Sequence, residues 1–137
     1  AGCSTGQIIA WDSVRWVVTF RIDAHDESVT DITLLDDRLV SCGVDGTVRI
    51  WDIHTQECIR VLDGHLGAVT SLCIVGSQIF SAGVDLSVIP YNVHDYHTTN
   101  GLVGHFAPVT SLCASRTELF SGSADHGIVV GYVQDVQ

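Results

Sequence analysis

Serine, histidine and aspartate, the side chains of a hydrolytic triad, each occur three times in this sequence at a spacing of forty residues. His25, His65 and His105 share one register, Ser41, Ser81 and Ser121 a second, and Asp45, Asp85 and Asp125 a third. A fourth register holds Trp11, Trp51 and Tyr91. Acyl transfer by such a set needs an exposed nucleophile on a strained turn beside an oxyanion hole. Each of these serines lies inside a strand-like run, and a catalytic set is not normally copied once per repeat, so no enzyme activity is expected. Gly2-Cys3-Ser4-Thr5-Gly6 matches the spacing of a nucleophile elbow, which has meaning only between a strand and a helix. A strand follows it here, and Ser4 aligns with Val44 in the hairpin turn of the next unit. His94, Asp95 and His97 lack a second ligand pair at any recognisable metal spacing and read as a solvated loop. Without a single lysine the chain holds no glycine-rich phosphate loop of the lysine type. Neither a metal nor any other cofactor is expected.

Composition narrows the classes further. At 137 residues, 46% hydrophobic and 16% charged, the chain has the apolar content of an ordinary folded domain. Its net charge of −10, from 16 acids against six arginines, leaves no electrostatic footprint for nucleic acid. No run approaches the ~20 apolar residues of a membrane helix, and no basic start precedes an apolar core as in a signal peptide. Five cysteines without a C-x-x-C pair, several in apolar runs, read as reduced small hydrophobes. These features predict an intracellular protein, cytoplasmic or nuclear, with neither nucleic-acid nor membrane partners.

The elements that carry the repeated residues are short and β-rich. In the first complete unit they are 28–34, 38–42, 47–51 and 58–62, dense in Val, Ile, Thr and Leu. Asp36-Asp37 and Asp45-Gly46 sit where hairpins must reverse. Val69-Thr70-Ser71-Leu72-Cys73 returns as Val109-Thr110-Ser111-Leu112-Cys113, and no helical period appears. Four short strands per repeat make a twisted sheet that buries its faces only by stacking on neighbouring sheets.

Asp63-Gly64-His65, Val84-Asp85 and above all the run from Ser41 to Asp52, ending Val48-Arg49-Ile50-Trp51-Asp52, resemble the WD-repeat β-propellers, whose units carry Gly-His near the start and Trp-Asp near the end. The resemblance covers essentially the whole chain and implies an all-β fold of four-stranded blades. It implies a hydrogen-bonded tetrad in each blade, complete as His25, Ser41, Asp45 and Trp51. The second set is His65, Ser81, Asp85 and Tyr91, with tyrosine in place of tryptophan. The third keeps His105, Ser121 and Asp125 but has Gly131 at the tryptophan position, with Tyr132 beside it. In the leading partial unit Ala1 and Thr5 replace the serine and aspartate. Pro90 deletes a backbone donor and is expected to place its strand locally at an edge.

By the same resemblance, the loops after each histidine share one face of the propeller. Asp26-Glu27, Leu66-Gly67 and Phe106-Ala107 would occupy equivalent places, with Thr30, Thr70 and Thr110 along the inner lip. The acids Asp23, Asp26, Glu27 and Asp31 beside Leu66 and Phe106 suggest a peptide partner with a basic residue near an apolar one. Arg49 and Arg60, on strands expected to be adjacent, could together meet a carboxylate or phosphate, but a surface pair facing the solvent is the favoured reading.

The units run 1–22 (the end of a preceding repeat and its following strand), 23–62, 63–102 and 103–137, the last lacking its outer strand. Closed propellers use about four to eight blades, so the remaining blades are expected from the same polypeptide or from a second chain. A longer or processed polypeptide is the favoured source, in keeping with the absence of methionine. The function implied is a scaffold presenting rigid loops to a protein or peptide. The alternative is a structural subunit, or an appended propeller of a large assembly or multidomain enzyme.

Overall fold

A computed structural model describes residues 2–98, 101–103 and 105–132 as four antiparallel sheets. The first holds β1 (Gln7–Trp11) and β2 (Val18–Asp23). The second holds β3 (Val29–Leu35), β4 (Arg38–Gly43), β5 (Val48–Asp52) and β6 (Cys58–Leu62), in that order across the sheet. β7 (Val69–Val75), β8 (Gln78–Gly83), β9 (Ser87–Asn92) and β10 (Leu102–Val103) form the third in the same meander. The fourth contains β11 (Val109–Ala114), β12 (Glu118–Ser123) and β13 (Ile128–Tyr132). Among the described residues there is no helix.

Sheet stacking buries the alternate apolar residues that the strand pattern sets aside. Trp51 of the second sheet packs on Ile8, Ile22 and Ala24 of the first. Val40, Cys42, Val48 and Ile50 pack across onto Leu72, Ile79, Ile89 and Tyr91 of the third. Phe80, Ala82 and Val88 meet Val109 and Leu119 of the fourth. Each fully buried valine, leucine or isoleucine contributes about 1.5–3 kcal/mol relative to exposure. The first strands of successive sheets, β3, β7 and β11, lie side by side. This is the arrangement of propeller blades around an axis.

Pro90 departs from expectation, since β9 lies between β8 and β10 rather than at an edge. The β10 ladder pairs Leu102 with Val88 and Val103 with Ser87, and a separate bridge joins Thr98 to Tyr91. The missing donor of Pro90 falls between these two paired stretches, where it breaks no described ladder bond. Ala1 and residues 133–137, on which the partial first tetrad and the outer strand of the last unit bear, lie outside the described residues.

Candidate functional site

The turn between the second and third strands of each sheet carries the repeated aspartate, and its carboxylate gathers several donors. Asp45 Oδ1 accepts from the Thr47 amide at 3.1 Å and the Thr47 hydroxyl at 2.8 Å. Asp85 Oδ1 takes the same two bonds from Ser87, at 3.2 and 2.7 Å. Asp125, with glycine two residues on, keeps only the Gly127 amide, at 2.7 Å. The histidine ring arrives from the loop before each first strand. Nδ1 lies 3.0 Å from Oδ2 of the aspartate in all three sheets. On the ring's far side Nε2 lies 2.7 Å from Ser41 Oγ, 2.7 Å from Ser81 Oγ and 2.9 Å from Ser121 Oγ. In the second and third sheets, with a neutral imidazole, Nδ1–H donates to the carboxylate and the serine hydroxyl donates to Nε2.

The fourth member differs between sheets. Trp51, paired with Leu39 in the ladder, donates its indole N–H to Ser41 Oγ at 3.0 Å. Tyr91 takes the matching place opposite Ile79. Its hydroxyl is buried and directed at Ser81 and the Gly64 backbone without reaching hydrogen-bond geometry with either. Gly131 stands opposite Leu119, and the serine there turns toward Val129 O at 3.5 Å. All three serines and all three histidines are buried, so the Ser–His–Asp geometry lacks an accessible nucleophile. No helix follows Ser4, and among the described residues no cluster of metal-binding side chains forms.

Electrostatics follow the burial. Burial holds His25 below the ordinary imidazole value despite the Asp45 carboxylate beside it. For Asp45 and Asp85, burial alone would raise the carboxyl, but the Thr47 and Ser87 hydrogen bonds and the imidazoles bring both below the usual range. Asp125 falls to about 2, chiefly through the Phe106 and Gly127 amides. Burial pushes the Cys42 thiol up to about 12, marking it as a core residue.

Two of the three His–Ser–Asp sets, those of the second and third sheets, lie within stretches that sequence comparison matches to a known family. The WD domain, G-beta repeat family matches residues 16–52 and 56–89, more than half of the chain. The chain belongs to the WD-repeat family. Nuclear distribution protein nudF of Aspergillus niger is 37% identical to this WD-repeat chain over 67 residues, covering 45% of the chain and 15% of that protein. Myosin heavy chain kinase C of Dictyostelium discoideum is 33% identical over 63 residues, 44% of the chain and 8% of that protein. The chain therefore corresponds to a small part of the curated relatives it matches. The computationally designed Ika4 protein superposes with a TM-score of 0.89 at 28% identity, over 97% of this chain and 83% of that one. The WD40 β-propeller domain of Doa1 superposes with a TM-score of 0.88 at 20% identity, over 94% of this chain and 44% of that one, and shows the fold alone.

Around the WD-repeat tetrads, the loops after the histidines are built alike. The backbone N–H of Asp26, Leu66 and Phe106 donates to the Oδ2 of Asp45, Asp85 and Asp125 at 3.3, 3.0 and 2.9 Å. The backbone at each of these positions is thus held by the aspartate, and the Leu66 and Phe106 residues are 96% and 94% exposed. The acids do not act as one group. Asp31 accepts from the Leu72 amide of the next sheet at 2.9 Å and from its own neighbour Ile32 at 2.9 Å, and Asp23 accepts from Gln7 Nε2 at 2.8 Å. Asp26 and Glu27 remain at the surface, Asp26 with Arg49 at 3.8 Å. Two threonines of the lip are also committed. Thr30 donates to Val69 O and Thr70 to Val109 O, both at 2.5 Å, which stitches each first strand to the next. Thr110 reaches Gly122 O at 3.3 Å within its own sheet.

Arg49 and Arg60 do not converge. In the ladder Arg49 faces Val61 while Arg60 faces Ile50, so the two side chains leave opposite faces of the sheet. Arg49 instead reaches Asp45 at 3.5 Å. The inter-sheet acceptors Asp31 and Ser71, whose hydroxyl takes the Leu112 amide at 3.2 Å, were not found from sequence. Their shared register forty residues apart was the available signal.

Proposed function

We propose that this WD-repeat chain is a non-catalytic scaffold whose surface after the histidines holds a peptide carrying a basic residue beside an apolar one. The observation that carries the reading is that Leu66 and Phe106 are nearly fully exposed at positions whose amides the aspartates hold, in the same register as the exposed Asp26, with Glu27 after it. Rigid loops with exposed apolar anchors bind at little ordering cost. Asp26 and Glu27 supply the charge for a cationic side chain, in a chain that is acidic throughout. The fully buried hydroxyls of Ser41 and Ser81 support a structural rather than a catalytic role for the tetrads. Five unbridged cysteines support work in a reducing compartment, cytoplasm or nucleus.

A peptide array with arginine fixed next to leucine or phenylalanine tests this. Binding should weaken in the Asp26→Lys/Glu27→Lys variant and in the Leu66→Ser/Phe106→Ser variant, with the melting profile retained. Capture that is indifferent to both variants would sink the proposal.

A further inference from the structure

The loop after each histidine is tied twice to the turn of its own sheet. The aspartate Oδ2 holds the amide of Asp26, Leu66 or Phe106. Two residues on, the carbonyls of Ser28, Ala68 and Pro108 accept from the amides of Val44, Val84 and Ala124 at 2.9, 3.0 and 3.1 Å. Residues 26, 66 and 106 therefore form a row of equivalent places across three sheets. The row stands clear with its neighbours present. Leu66 has the second sheet before its own, where a Cβ on Gly46 would lie 3.1 Å from Gly67 O, and the fourth sheet after it, and is still 96% exposed. Asp26, with the first sheet on one side and the third on the other, has a side chain 90% exposed.

Chemistry changes along the row in one direction. It begins with two acids, Asp26 and Glu27, passes to Leu66 with Gly67 and ends at Phe106 with Ala107. Arg49 lies 3.8 Å from Asp26, but its guanidinium also serves Asp45 at 3.5 Å, so the acidic end stays net negative. After the two apolar members come only small residues and a proline, Gly67 and Ala68 on one sheet, Ala107 and Pro108 on the next. Val84 closes on the first of these, since a Cβ on Gly67 would lie 2.7 Å from its Cγ2. One protruding anchor per sheet, with low ground beside it, suits a slim chain.

The step of the row follows from what lies beneath it. Each loop is tied to the turn between the second and third strands, and those strands pack sheet on sheet, Val40 and Ile50 with Ile79 and Ile89. Sheets stacked face to face lie about 10 Å apart, so the row advances about 10 Å per sheet. A polyproline II segment repeats every three residues with a rise of about 3.1 Å each, roughly 9 Å per turn, and returns a side chain to the same side at every step. A β-strand returns one every roughly 6.7 Å, out of step by the second anchor. An α-helix needs seven residues for about 10.5 Å and is about 10–12 Å across, wider than a row of single residues calls for.

Resting on the function proposed above, we propose that the partner segment crosses the second, third and fourth sheets in polyproline II conformation and is read at every third residue. Its basic residue lies over Asp26 and Glu27, the residue three positions away against Leu66, and the residue six positions away against Phe106, both of these apolar. A stiff, preformed segment on tied loops loses little freedom on binding. The register belongs to the row, because each anchor needs only its amide to stay in place.

Fluorescence anisotropy with proline-rich peptides carrying one arginine and two leucines tests the register, with the three spaced one, two, three or seven residues apart and in both chain directions. Spacing three should bind at least about tenfold tighter than the others, the loss of one apolar anchor. In the Asp26→Leu/Glu27→Ala/Leu66→Asp variant, checked for an unchanged melting profile, the preferred arginine should move from the end of the motif to its middle. Peptides that bind through the row, sensitive to Asp26→Lys/Glu27→Lys and to Leu66→Ser/Phe106→Ser, but equally at all spacings or best at one, two or seven, overturn the register and leave the basic and apolar partner standing. An arginine preference that stays at the end of the motif in the relocated variant overturns the register too. Binding by none of the peptides overturns both.

Discussion

Gly64 and Tyr91 form a pair whose coupling is calculable from the structure. A Cβ on residue 64 would lie 2.5 Å from the Tyr91 hydroxyl oxygen, inside any real contact. Its next neighbours, Ile89 Cδ1 at 3.4 Å and Tyr91 Cζ at 3.6 Å, are ordinary contacts. In the second sheet, where the indole of Trp51 bonds Ser41, the position forty residues earlier is Ala24, fully buried against that tryptophan. Gly64→Ala should therefore overpack and destabilise by about 1–3 kcal/mol. The lost chain entropy of the unfolded state offsets roughly 0.4–1 kcal/mol of that. Tyr91→Phe removes a buried hydroxyl that makes no hydrogen bond, and relieves part of an unsatisfied-group penalty of about 1–3 kcal/mol. In the Tyr91→Phe background the alanine should be neutral or stabilising, for a coupling of about 1–2 kcal/mol. Urea unfolding of the wild type, the two single variants and the double variant measures it. Additivity within about 0.5 kcal/mol would refute the reasoning.

Asp31→Ala should cost about 1–3 kcal/mol in urea unfolding, because it leaves the Leu72 amide of the next sheet without its acceptor. Leu86 holds φ of 71° where Gly6 and Gly46 hold 79° and 80°, so Leu86→Gly should raise stability by roughly 1 kcal/mol. Two pH windows should appear in melting curves. The depressed His25 value means that its contribution is complete above about pH 6.5 and declines as pH falls toward the folded value. The depressed Asp45, Asp85 and Asp125 values give contributions present above about pH 4 and lost as pH falls through the folded values, about 2 for Asp125. A flat profile between pH 7 and 5 would contradict the first. Asp85→Ala should speed hydrogen exchange of the Leu66 amide by about tenfold or more, and unchanged protection there would separate loop from tetrad.

The forty-residue registers made the sheets legible because each tetrad position and each hairpin recurs with its strand. The expected segments 28–34 and 38–42 fall within one residue of β3 and β4. Contacts between sheets were not legible in the same way. Thr30 reads as a lip residue and Asp31 as one of a group of acids, but a strand's sequence does not say which carbonyl or amide of the next sheet it meets. Arg49 and Arg60 lie on adjacent strands as expected, and the ladder register alone decides that they leave opposite faces. Pro90 shows the reverse case. Its chemistry is plain from sequence, but its consequence depends on how far the neighbouring strand extends.

Frame and outer loop meet at one carboxylate oxygen in each repeat. The Oδ2 that holds the histidine also holds the amide of the residue after it. That arrangement constrains the backbone at positions 26, 66 and 106 and leaves the side chains free, because only an N–H is required there. Aspartate, leucine and phenylalanine therefore occupy one position in three successive sheets with nearly the same amide bond, 2.9–3.3 Å. The tips behave likewise. Valine at 14 and histidine at 54 and 94 sit on the same turn, held by the side chain two residues earlier. In such a fold surface chemistry changes at almost no structural cost. The departures that do cost stability, Tyr91 and Leu86, lie where a side chain or a backbone angle enters the frame itself.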